Sequence, residues 1–477
     1  MIDKLLPDGS HVQAFPITSA QKLMYYVYSG FSKNLAVLNI GAGHYWQGDF
    51  DVEAMKASLY EAIERCDTMR LRFMPDQQFG MVQYVVDKTE MQIEEVDFSD
   101  ISYEEAHKKM KEWTYVPVDM FLKPLNTIKI IHLENNYHGF YIKFHHLAFD
   151  GYSTQFFIND VMAIYCSKVA GTPYPKPTKP YLAALKNELA YLNSEKRNAD
   201  RQYYTEYFTW EKDHEALFCD YQFKNRLYEQ RIENGDPNQR YAICLDDKHP
   251  LSKALYFEVS AEDTQKIMDA CREKGLSVGS ILMFGLRTAL SVFNDNSEDV
   301  SVRFMVGRRG TLLEKRSGGL RMLFYTLRTI VPPEATCREA IEIVETNQNN
   351  IYAHSSFDTL EMFQLRHTIE DIGGLDRSYD STAFSYQPYQ ETPAVNEEQR
   401  KSSIGVWYNN DVSVQPLYIT VKHRPSDKGF EFCFEYRTDS EPIEDLNVFY
   451  KTMINSMLMC LENPDMTVAE ILDKLKL

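Results

Sequence analysis

Apolar residues recur along this chain with two different periods, and the points where the period changes outline its elements. In DVEAMKASLYEAIERCD (51–67), Met55, Leu59, Ala62, Ile63 and Cys66 fall three or four apart, which is one face of a helix. The next residues, MRLRF, read as a strand. TIKIIHLENNYHGFYIKFHH (127–146) holds two β-rich runs joined by Asn135-Asn136, the pattern of a hairpin. STQFFINDVMAIYCSKVAG follows, predicting a helix opened by Ser153 and closed by Gly171. A further helix is expected near 18–30.

TPYPKPTKPY then places four prolines between 173 and 180. Proline locks φ and lacks an N–H, so this stretch predicts an extended connector dividing the chain into lobes 1–176 and 177–477. Beyond it the pattern predicts one long polar helix over 179–208, a helix at 261–293 and a strand around DVSVRFMVG. A helix at 336–352, strands near 382–388 and 416–436, and a helix at 445–461 complete the pattern. Strand–helix alternation is irregular and carries no glycine fingerprint, which argues against a doubly wound nucleotide fold. Two α+β lobes are expected.

Composition narrows the function. The 477 residues carry 51 Lys and Arg against 69 Asp and Glu, a net charge of −18. Such a surface argues against non-specific nucleic-acid binding, which needs clustered cations. The start has no apolar signal region, and the longest apolar stretch, 281–293, carries Arg287 and is too short to span a bilayer. Cysteines at 66, 166, 219, 244, 271, 337, 433 and 460 form no CxxC pair. They read as free thiols in a reducing cytoplasm, with no metal site. GRRG (307–310) lacks the features of a phosphate loop, so Arg308 and Arg309 read as structural or channel residues.

The candidate chemistry lies in FYIKFHHLAFDGYS (140–153). Strand alternation puts Phe140, Ile142, Phe144 and His146 on one face and Tyr141, Lys143 and His145 on the other. Adjacent histidines on opposite faces do not share a metal ion. His146 is thus either a hydrogen-bonded core residue or a group for proton transfer, an effect worth roughly 10²–10⁴ in rate. Asp150 can orient an imidazole, cap the following helix or pair with a buried arginine. Gly151 allows close approach. HHxxxDG arises by chance in on the order of one chain per thousand of this length, which marks it as a motif.

FHHLAFDGYS resembles the HHxxxDG motif of nonribosomal peptide synthetase condensation domains, within the chloramphenicol-acetyltransferase-like acyltransferase superfamily. Weaker matches follow in that family's order. TSAQKLMYY (18–26) is similar to S-A-Q-x-R-[LM]-[WY]. ERCDTMRLRF (64–73) is similar to R-H-E-x-L-R-T-x-F, keeping Arg65, Arg70 and Phe73 but carrying Cys66 and Asp67. DVSVRFMVGRR (299–309) resembles the strand leading to a family arginine, aligned with Arg309. GGLRMLFYTLRTIV (318–331) resembles G-x-F-V-N-T-L-P-L-R, with Tyr325 in place of asparagine. FEYRTD (434–439) resembles a late family strand.

The resemblance implies two acetyltransferase-like lobes in a V-shaped pseudo-dimer, with a central tunnel and HHxxxDG at its midpoint. It implies transfer of an acyl or peptidyl group from a carrier-protein phosphopantetheine thioester to an acceptor amine, with no intrinsic cofactor. His146 would act as base or as support for the tetrahedral intermediate. His145 and Asp150 would shape the site, Asp150 paired with Arg309, and Gly151 would keep the acceptor path open. Tyr152 and Tyr325 are expected to line the tunnel, His354 its rim or the lobe packing, and 378–403 to form a mobile cover crossing between lobes. A free-standing cytoplasmic protein served by carriers in trans is expected, without membrane or nucleic-acid partners. The alternatives are a coenzyme A-dependent O- or N-acyltransferase of the same superfamily and a non-catalytic condensation-like binding module.

Overall fold

A computed structural model describes residues 1–475 apart from 32, 90, 210–232, 234, 236–241, 244–247, 249, 295, 371–376, 379 and 439–442. Cys219, Cys244 and the last residue of FEYRTD therefore lie outside the described residues. Two sheets, one in each lobe, form the framework. The first has five strands, ordered Ile404–Tyr408, Asn39–Gln47, Tyr137–His145, Asn126–Leu133 and Glu94–Phe98. The second has six, ordered Ser252–Glu258, Phe430–Arg437, Leu417–His423, Thr382–Gln387, Asp299–Val306 and Leu323–Ile330. A smaller four-stranded sheet, Ile2–Leu5, His11–Pro16, Gly80–Val85 and Leu71–Asp76, flanks the first lobe.

The hairpin of the first sheet turns at Asn135 and Asn136, both at φ 58°. Asparagine enters this left-handed region more readily than other residues with a Cβ, so the turn sits where the two asparagines are. The register pairs Ile128 with Ile142 and Ile130 with Phe140, all four buried. Helices Val52–Arg65 and Gly151–Ala170 pack on each other beside this face. Helix Ser19–Gly30 begins with a capping box, in which Thr18 and Gln21 satisfy each other's backbone N–H.

Three expected elements differ. The long polar helix is two helices, Tyr181–Tyr191 and Glu195–Phe208, because Ser194 caps a new start by accepting from Arg197 N. The helix over 261–293 is Ala261–Lys274 and Val278–Val292, bent by 108° after Gly275 at φ 67°. Helix Gly151–Ala170 starts two residues before Ser153, since Asp150 and not Ser153 is its cap; Gly171, at φ 68°, ends it as expected.

The segment 378–403 runs from a strand of the second lobe into a chain that crosses to the first. Thr382–Gln387 is an inner strand of the second sheet, and Ile404–Tyr408 pairs antiparallel with Asn39–Gln47 at the edge of the first. The chain between them crosses from lobe to lobe and is held by main-chain pairing at its far end. Asn410 Nδ2 then donates to the carbonyls of Ala36 and Asn39, and Lys111 Nζ to Asp411.

Candidate functional site

Strand Tyr137–His145 ends one residue before His146, so the alternation that assigned His146 to the Phe144 face does not reach it. His145 N donates to Leu125 O as the last ladder bond, and His146 N donates to Leu38 O at 2.7 Å. The chain then turns tightly, with the N–H groups of Ala148 and Phe149 both donating to His145 O. From Gly139 to Asp150, His146 is the one residue that is not fully buried. Its neighbours anchor the turn, and His146 itself is half-buried, with its Nδ1 inside.

The two imidazoles are held neutral. His145 is 2% exposed, and its Nδ1 accepts from Leu147 N at 3.1 Å, which assigns its proton to Nε2. Burial, reinforced by its neighbour's charge, pushes its pKa down to about 3. Burial likewise pushes His146 down to about 4, against the upward pull of the Asp150 carboxylate. His146 Nδ1 is buried and makes no hydrogen bond.

Asp150 is the hub beneath this turn. Its Oδ1 accepts from Ser153 N at 2.9 Å, capping the helix, and its Oδ2 accepts from Arg321 N and Met322 N at 2.9 and 3.2 Å. Arg309 donates to both oxygens at 2.9 Å. Burial pushes the carboxyl up, but Arg309 and the backbone donors prevail and hold it below the ordinary carboxylate range. Two of the roles open to Asp150 are thus filled together: the cap is local to the first lobe, and the bonds from Arg309, Arg321 and Met322 come from the second. Gly318 and Gly319, at φ 65° and 91°, bend the chain so that Arg321 N meets Asp150. A Cβ on Gly319 would stand 2.7 Å from the Tyr181 ring, and one on Gly318 would stand 2.9 Å from Thr68 Oγ1.

Gly151 faces the end of the second sheet and the crossing strand. A Cβ there would lie 3.4 Å from Gln387 Nε2 and 3.9 Å from Trp407. Tyr152 is half-buried, and the Arg309 guanidinium lies over its ring at 4.5 Å.

Tyr325 needs correction. Its side chain is 0% exposed, stacked on Tyr204, and its hydroxyl donates to the carbonyls of Ser355 and Phe357 at 2.5 and 2.8 Å. It is a core residue of the second lobe and lines no passage. His354 packs the lobe as well, with Nδ1 2.7 Å from Asp200 and its ring stacked on Tyr203. Arg308 pairs with Glu188 at 3.1 Å.

Several supports carried no assigned role in the sequence. Gln21 Nε2 donates to Leu147 O at 3.1 Å, tying S-A-Q to the turn after the histidines, and also contacts Gln83 and Tyr181. Asp67, where the similar motif has glutamate, accepts from Tyr181 N at 2.9 Å and so serves a helix whose cap position, Pro180, has no acceptor. Arg65 grips Asp160 through two 3.1 Å bonds and donates to Lys176 O in the proline connector. Among the described residues no three His, Cys, Asp or Glu side chains are grouped to hold a metal ion. No single described helix is long and apolar enough to cross a membrane.

The family model for the condensation domain matches residues 12–474. The chain is 23% identical to surfactin synthase subunit 1 of Bacillus subtilis (strain 168) and 22% identical to bacitracin synthase 1 of Bacillus licheniformis, each over 96% of its length. It spans only 12% and 8% of those two proteins. Among solved structures it is similar to the first condensation domain of the calcium-dependent antibiotic synthetase, with TM-score 0.75, 18% identity, and 96% and 98% of the two chains covered. The condensation domain from a monacolin K polyketide synthase gives TM-score 0.78 at 12% identity over 96% and 99%. A mutant starter condensation domain of rhizomide synthetase, in complex with C8-CoA and Leu-SNAC, gives 0.77 at 16% over 95% and 96%.

Proposed function

The chain belongs to the condensation-domain family, and from that premise we propose that it joins an acyl or peptidyl group, carried as a phosphopantetheine thioester, to an acceptor amine. The observation that carries this reading is that His146 alone is only half-buried within an otherwise buried run of twelve residues, Gly139 to Asp150. The acceptor nitrogen attacks the thioester carbonyl, a tetrahedral intermediate forms, the carbon–sulfur bond breaks, and the nitrogen loses a proton as the thiol leaves.

A histidine with its pKa near 4 is neutral at pH 7 and a weak base. Its contribution is therefore to accept a hydrogen bond from the attacking N–H, orient it, and take the proton once attack has made that N–H acidic. The same imidazole can return the proton to the departing sulfur. His145 and Asp150 do not touch the reacting atoms in this scheme. They hold the turn that presents His146, and Arg309 holds Asp150. Gly151 leaves room beside Gln387 and Trp407 for the acceptor.

The test supplies an acyl-loaded carrier protein and an amine, and detects the amide by mass spectrometry. Wild-type protein is expected to form product and His146→Ala to lose it. Product formation undiminished in the variant excludes the role given to His146, and no product from wild type with any donor favours a binding module. A second donor class is included because a similar starter domain was solved with C8-CoA. Faster turnover of a coenzyme A thioester than of the carrier-bound one would replace the carrier in this reading.

A further inference from the structure

The far end of the hairpin that presents His146 carries a second pair of histidines. His132 and His138 face each other across the ladder, and His138 lies seven residues from the strand end at His145. At about 3.3 Å per residue this is about 23 Å away from the site described above. The rings stand close, with Nδ1 of His132 2.7 Å from Nδ1 of His138.

Both outer nitrogens meet oxygen. His132 Nε2 lies 2.8 Å from Glu95 Oε1, and His138 Nε2 lies 2.9 Å from Asn136 Oδ1. A carboxylate and an amide oxygen only accept, so in the neutral form of each ring the proton sits on Nε2. The Nδ1 atoms of two neutral rings then face one another as lone pairs, a contact that either a shared proton or a metal cation relieves. Facing lone pairs repel unless a cation lies between them. An aromatic ring packs on the pair: Phe50 stacks on His138 at 5.4 Å and meets the His132 ring edge-on at 5.7 Å. Asp97 lies in register with His132 on the adjoining strand. His132 keeps 15% side-chain exposure and Glu95 52%, so an ion has access from solvent.

We propose that His132 and His138 bind one transition-metal cation through their Nδ1 atoms, with water completing its coordination. Imidazole suits zinc, copper and nickel ions, and Glu95 and Asn136 orient the rings as outer partners do in metal sites. A zinc–nitrogen bond of about 2.0–2.1 Å at a tetrahedral angle needs the nitrogens roughly 3.3 Å apart. The rings open by about half an ångström to reach that, which side-chain torsions supply. The site clips together the strands that carry its two ligands, and it is independent of the acyl-transfer reading.

Copper(II) is the probe, as the tightest divalent ion for nitrogen ligands. Titration of the whole chain is expected to give one ion per molecule, with a spin-resonance spectrum showing two nitrogen ligands. His132→Gln should abolish that site, and Glu95→Gln should weaken it by about 10–100-fold. Zinc should also protect His132 and His138 of the wild-type protein from carbethoxylation, a measurement that needs no variant to fold. Equal copper binding by wild type and His132→Gln, or no zinc protection, overturns the proposal. So does nuclear magnetic resonance showing a proton shared by the two Nδ1 atoms that excess zinc does not displace.

Discussion

Arg309, just beyond a strand of the second lobe, reaches both carboxylate oxygens of Asp150 at the start of a first-lobe helix, at 2.9 Å each. The two side chains are 5% and 3% exposed, so this pair is a buried charge contact between the halves of the molecule. Removing one member leaves the other charge buried without its partner. Arg309→Ala is expected to cost about 3–5 kcal/mol in urea denaturation. A loss below about 1 kcal/mol, the range of an exposed pair, would mean that the contact does not hold the lobes.

Acid should weaken the fold from about pH 6.5 downward, above the range where ordinary carboxylates titrate. Burial lowers His44, His146 and His367 to about 4 and His145 to about 3. Below about pH 6.5 the unfolded chain takes up protons that the folded chain refuses, so stability falls as pH drops from about 6.5 toward 4. Glu435, pushed up to about 7 by burial, works in the opposite direction, as do Asp160 and Asp445, whereas burial lowers His107, His138 and His423 alongside the first four imidazoles. Melting temperature should therefore decline steadily across this window. A flat profile would mean that the imidazoles are hydrated.

Gly319→Ala adds two costs that a control can separate. Gly9 has a similar φ of 86° and nothing within 4 Å of where a Cβ would stand, whereas Gly319 meets the Tyr181 ring. Gly9→Ala should cost about 1 kcal/mol from backbone strain alone, and Gly319→Ala about 1–3 kcal/mol more from the clash. Equal melting shifts would refute the close packing at the lobe junction.

Tyr325→Phe should lower stability by about 1–3 kcal/mol, because two buried carbonyls lose their shared donor. The rate of amide formation should stay within about twofold, since the hydroxyl is spent inside the core. A change in acceptor preference without loss of stability would return Tyr325 to the substrate path.

The local elements were legible in the residues. Apolar spacing marked the helix beginning after Asp51, and the asparagine pair marked the hairpin. HHxxxDG and its companions pointed to the family that the comparison with residues 12–474 then showed. Helix continuity was misread at 192–194 and 275, where a serine that caps a new start, or a glycine that ends a helix, interrupts a run whose overall composition stays helical. Alternation could not place His146, because it holds only while the strand lasts and the strand ends at His145.

Spacing and residue type are properties of a few neighbouring positions, so the chain's own order of residues carried its strands, its turns and the place of its motif. Of the roles open to Asp150, the helix cap is met three residues on by Ser153, whereas the arginine pair depended on Arg309, 159 positions away. Tyr325 looked like a lining residue until Ser355 and Phe357 were found closing over its hydroxyl. Such pairings rest on burial and charge contacts made when distant segments pack, and no local pattern encodes who the partner will be.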